Sequence, residues 1–124
     1  MGTWGHGNFE NDTSADHLAE ITGRLVSEVE EAMANPEELE PDEYWACAVP
    51  CNIEILNLIA AKHWAGTVLP TPATAEDWKK TYMTVWERCI DDLDPEPEHK
   101  RQQHAVLLMT FDTLAEHAKR LHDD

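Results

Sequence analysis

Cys47 and Cys51 stand four residues apart, a spacing that puts two thiols on one face of a helix. With seven histidines in the chain, the chemistry this invites is metal ligation. The spacings do not complete a site. No C-x-x-C or H-E-x-x-H occurs, and His63 lies well beyond the two cysteines. His99 and His104 are five apart, a poor match for one helix face. Apolar-flanked cysteines at helical spacing serve as packing residues. The run Asp92-x-Asp94-x-Glu96-x-Glu98 opens like a calcium loop, but Pro97 and Gln103 stand where the turn glycine and the bidentate glutamate are required.

Other reaction centres fare no better. The glycines of the opening segment have no strand before them and no Lys-Ser/Thr pair after them, so they do not form a phosphate loop. No local pattern sets a base beside Cys47, Cys51 or Cys89. Carboxylates are so numerous that no pair of them stands out as an acid and base. The titratable residues closest to a cluster are His6, Asp12, Asp16 and His17, near the N-terminus. They are the candidates if the protein is a small-molecule or metal-dependent enzyme with a site near that segment. The residues themselves assign no catalytic group, no metal and no cofactor.

The informative charge feature is regional. Between Arg24 and Lys62 there is no Lys or Arg, while Glu28, Glu30, Glu31, Glu37, Glu38, Glu40, Asp42, Glu43 and Glu54 all fall inside. A block of one sign steers a partner of the other. The candidate partner-binding set is Glu28, Glu31, Glu37, Glu38, Glu40, Asp42 and Glu43. The plainer reading is a solvated face that keeps the chain soluble.

The whole composition points the same way. Nine Lys plus Arg stand against 25 Asp plus Glu, a net charge of −16. Nucleic acid requires phosphate neutralisation by cations, and an anionic membrane repels such a chain, so neither is an expected partner. Hydrophobic residues at 42%, with five tryptophans, separate the chain from disordered acidic sequences. Three cysteines make no disulfide framework and suit a reducing compartment. With no signal pattern and no apolar run of membrane length, the expected location is the cytoplasm.

The elements that must carry these residues read as helices. Length and patterning predict one all-α domain over residues 1–124: a four-helix, bundle-like arrangement behind an ordered Gly-rich loop at 1–12. Leu18, Ile21, Leu25, Val29, Ala32 and Met33 recur at three and four, predicting a helix over 13–34 capped by Asp12 or Thr13. Gly23 interrupts it, which suggests a close neighbour. The second helix is predicted over 42–64, apolar on much of its circumference and so central. Pro50 falls inside it and predicts a kink or a split into two abutting helices. A third helix over 75–93 follows an approximate capping box, Thr74-x-x-Asp77, and a fourth spans 98–122. Trp45, Trp64, Trp78 and Trp86 read as packing residues, and Trp4 as the anchor of the opening loop.

That opening carries a resemblance. Met1-Gly-Thr-Trp4-Gly5-His-Gly7-Asn-Phe9-Glu-Asn11-Asp12, followed by Ala15-Asp16, resembles the start of domain-of-unknown-function family 4259, a mainly bacterial family opening M-G-x-W-G-x-G-x-F-x-N-D. Looser similarity continues through Tyr44–Ala48, the helix led by Trp78, and Phe111-Asp-x-Leu114. Pro50 and Cys51 depart from the Ala-rich helix expected there. The resemblance implies a small helical domain and supplies no catalytic residue. It implies that Trp4, Gly5, Gly7, Phe9, Asn11 and Asp12 form the element the family is built around. Trp4 and Phe9 are then expected to plug a gap between helices, with Asn11 and Asp12 capping the first helix and bonding the loop backbone.

Together these residues lead to an expected function: a non-enzymatic interaction module whose acidic surface binds a basic protein. An immunity-type or antitoxin-type inhibitor of a cationic effector is one form of it. An enzyme near the opening loop and a homo-oligomeric scaffold are the alternatives. Apolar surface left exposed on the second or fourth helix would favour the scaffold.

Overall fold

The computed structural model describes residues 2–122. Its helices are α1 (Asp12–Met33), α2 (Tyr44–Ala60), α3 (Pro72–Cys89) and α4 (Pro97–His122). Single 3-10 turns at Pro36–Leu39 and Ile90–Leu93 precede α2 and follow α3. Among the described residues there is no strand, only an isolated antiparallel bridge between Thr3 and Asn11.

Local chemistry sets the ends. The α1 cap is Asn11, not Asp12 or Thr13: its side-chain oxygen accepts the Ser14 N–H at 2.8 Å. The α3 cap is Thr71 rather than Thr74, because Pro72 fits the first helical position and Thr71 Oγ1 accepts the Thr74 N–H at 3.2 Å. The segment predicted as an extension of α2 to residue 64 instead turns back. His63 adopts φ 58°, and the carbonyls of Ile59 and Ala60 are closed by the N–H groups of Lys62 and His63. Residues 90–93 tighten into a 3-10 turn, and Asp94 at φ 49° ends it ahead of Pro95.

Pro50 does not split α2, which runs unbroken from Tyr44 to Ala60. A proline leaves the carbonyl one turn earlier, here that of Ala46, without its helical donor. Tyr82 fills the vacancy from α3: its buried hydroxyl donates to the Ala46 carbonyl at 2.6 Å. Burial also pushes the Tyr82 phenol above its ordinary range, so it stays a donor.

The helices close around one core. Asn52 on α2 reaches Leu25 and Glu28 on α1, while Gly66, just past α2, abuts Ala15 near the start of α1, so α1 and α2 run antiparallel. Lys79 meets Asp112, and Glu87 meets His104, so α3 and α4 are antiparallel too. Asn57 donates to the Thr110 carbonyl at 3.1 Å, joining α2 to α4. Val29, Leu39, Val49, Ile53, Leu56, Phe111 and Leu114 are sealed from solvent between them. Leu39 comes from the acidic connection, which is therefore pinned to the core by one side chain.

Two tryptophans, Trp78 and Trp86, are core residues, while Trp45 and Trp64 are half-buried. Gly23 has no close neighbour to explain it: a Cβ there would meet nothing within 4 Å.

Candidate functional site

Three elements carry the acidic block. Glu28 and Glu31 lie on the second half of α1, Glu37 and Glu38 on the 3-10 turn, and Glu40, Asp42 and Glu43 on the approach to α2. Glu31, Glu37, Glu38, Asp42 and Glu43 are exposed, and Glu40 is half-buried. Glu28 is tied down: its carboxylate accepts from Asn52 Nδ2 at 2.9 Å, which fixes it beside α2. The buried Leu39 anchors the turn to the core, and the carboxylates around it face outward.

The start of α2 adds a feature the sequence did not point to. A groove of about 530 Å³ lies between the connection and α2. Cys47, Ala48, Cys51, Tyr44 and Asn52 of α2 line it together with Asp42 and Glu43 of the connection. Tyr44 is 73% exposed, and Cys47 and Cys51 are not the packing residues their spacing suggested: both are free thiols at the surface, on the face of α2 turned away from the core. The exposed apolar face continues along the helix to Ile55 and Leu58, the latter 64% exposed. On α4, Val106 and Met109 are exposed beside Thr110, whose carbonyl binds Asn57 of α2. The signal for this stripe was present, since positions 44, 47, 51, 55 and 58 recur at three and four. It was hidden because α2 is apolar on much of its circumference, the pattern from which it was read as the central helix.

The opening loop is built differently from the expectation. The Trp4 N–H donates to the Glu10 carbonyl at 2.8 Å, and the Gly7 N–H to the Glu10 carboxylate at 2.7 Å. This small turn lays Phe9 against Trp64, ring centroids 4.0 Å apart and nearly parallel. Trp4 is not a plug: it is 52% exposed, and Phe9 alone makes the aromatic anchor. Asn11 caps α1, and the Asp12 N–H donates to the Gly2 carbonyl. Gly66 is required where the loop after α2 passes α1. It sits at φ 96°, and a Cβ would collide with the Ala15 backbone.

His6, Asp12, Asp16 and His17 are all exposed, and among the described residues no three His, Cys, Asp or Glu side chains gather where they could hold a metal ion. The opening loop closes against the start of α1, where Gly2 packs on the Asp12 side chain and accepts from its backbone N–H. Behind Trp64 a cleft of about 300 Å³ is lined by His63, Leu69, Arg120 and Leu121. Arg120 donates to the Ala60 carbonyl at 3.0 Å, satisfying the end of α2. Close by, burial first, then the charges of Arg120 and His63, hold His117 below its ordinary pKa, against an opposing pull from Glu116.

Among the described residues no helix is long and apolar enough to cross a membrane. No curated protein and no solved structure shows significant similarity to the chain. The sequence profile of DUF4259, a domain of unknown function, matches residues 2–119. With nearly its whole length matched, this four-helix chain belongs to the DUF4259 family.

Proposed function

We propose that the protein is a non-enzymatic interaction module that binds a basic partner protein through the carboxylates of Glu28–Glu43. One observation carries this reading. The acidic connection is anchored to the core by the buried Leu39, and its Asp42 and Glu43 line a largely apolar groove beside α2. Charges alone give steering and rate, whereas charges beside an apolar anchor point give a surface that retains what it attracts. An inhibitor of a cationic effector is one form such a module takes.

The test is affinity capture from host lysate at low and moderate salt, with the wild-type chain beside a variant carrying Gln at Glu37, Glu38, Glu40 and Glu43. The expected result is a basic protein retained stoichiometrically, released by salt, and lost in the variant. Equal retention by the variant at low salt overturns the assignment of the surface.

A second reading has its own observation, the cleft lined by His63, Trp64 and Arg120. A small carboxylate seated there would raise the melting temperature of the wild-type chain and not that of Leu121→Trp, which fills the cleft. No shift with any small carboxylate removes this reading.

A further inference from the structure

Exposed apolar residues scattered singly are ordinary on a protein surface, but a continuous stripe is not. Along α2, Tyr44, Cys47, Ala48, Cys51, Ile55 and Leu58 follow the three–four spacing of a single helix face. All are exposed except Ala48, which is half-buried and lines the groove. This is the face an amphipathic helix uses when it lies in a groove and presents anchors at the same spacing.

The charge around the stripe selects its occupant. α2 carries no Lys or Arg at all. Asp42 and Glu43 line the groove, Glu54 is exposed on α2, and Glu28 is hydrogen-bonded to Asn52 of α2. A second copy of the chain would bring another −16 charges against this rim. A helix with an apolar seam and Lys or Arg on its flanks meets both demands. Its seam covers the stripe, and its long cationic side chains lay their stems over apolar surface while their heads reach the carboxylates.

We infer that the exposed face of α2 is the docking site for a basic amphipathic helix of a partner protein, seated on Tyr44, Cys47, Cys51, Ile55 and Leu58. This rests on the reading that the acidic surface binds a basic partner, and it adds the shape of what is bound.

The experiment uses the full chain and synthetic peptides matched in length to α2. One is a Leu/Lys helix with all leucines on one face, the second has the same composition scrambled, and the third replaces Lys by Glu. Binding is read by fluorescence anisotropy at low salt and at about 1 M salt, where screening acts within about 3 Å. The amphipathic Leu/Lys helix is expected to bind at least about tenfold tighter than the scrambled one. The paired change Ile55→Ser with Leu58→Ser is expected to erase that ratio. Tyr44→Ser, at the most exposed position, gives the same direction should the pair disturb folding. The Gln variant of the acidic block is expected to weaken both Lys peptides and keep their ratio.

Equal binding of the two Lys peptides overturns the docking face and leaves the acidic surface standing. No binding of either at low salt overturns both. Equal binding of the Glu helix removes the charge selection and with it the inference. A dimer seen by sedimentation and dissolved by Leu58→Ser assigns the face to a second copy instead.

Discussion

Pro50 has no N–H, and Tyr82 on a different helix supplies the hydrogen that the Ala46 carbonyl lacks. Tyr82→Phe keeps the ring and strands a buried acceptor, at a cost of about 1–3 kcal/mol. In a Pro50→Ala background the helix provides its own donor. The same change is then expected to cost measurably less, a coupling that a double-mutant cycle in urea reads directly. His117 offers a second test at this scale. Its folded pKa lies below the ordinary value, chiefly through burial, so the unfolded chain binds the proton more readily. The stabilising contribution is complete above the unfolded pKa of about 6.5 and is lost as pH falls through the lower folded value. His117→Gln is expected to flatten that part of the stability-against-pH curve, measured by urea unfolding at stepped pH relative to wild type.

The two most informative glycines belong to elements with opposite needs. Gly23 lies inside α1 with empty space where a Cβ would go. Gly23→Ala is therefore expected to raise stability by about 1 kcal/mol, visible as a higher urea midpoint at unchanged slope. Gly66 is the reverse case, held at φ 96° against the Ala15 backbone. Gly66→Ala is expected to cost at least about 2 kcal/mol in the same assay, since both strain and collision must be relieved. The periodic stripe of α1 was legible in the sequence, and Leu18, Val29 and Ala32 from it are buried, while Ile21 stays exposed. The ends of the helices were less legible, because Asn11, Asp12 and Thr13 are all good caps, and only the backbone path selects Asn11. The acidic block could be read directly as a run without Lys or Arg. The groove beside it could not, since it forms between the connection and α2.

At the scale of the molecule, a net charge of −16 is spread over a small helical body whose cations are few. Ion pairs such as Lys79–Asp112 and Lys100–Asp91 engage part of the positive charge on α3 and α4, leaving the α1–α2 end unneutralised. Self-repulsion of this kind opposes the compact state and is screened by salt. The melting temperature is expected to rise by several degrees from low salt to about 0.5 M NaCl, with part of the rise already present in the Gln variant at low salt. A melting temperature independent of salt would mean that the repulsion is absorbed locally.

The sequence by itself determined that the chain is helical, acidic and without a strand pattern, because periodicity and charge are properties of the chain read in order. The family to which the opening pointed is the one whose profile matches residues 2–119. Tertiary structure alone decided which face of α2 is buried. Both faces are apolar, and the choice came from where α1 and α4 packed. It decided the fate of the opening aromatics as well: Phe9 found the ring of Trp64, 55 residues away in sequence, and Trp4 stayed at the surface. Pro50 shows the same division. Its missing N–H is written in the sequence, but the hydroxyl that compensates it comes from Tyr82 on another helix, a partner that only packing brings within reach.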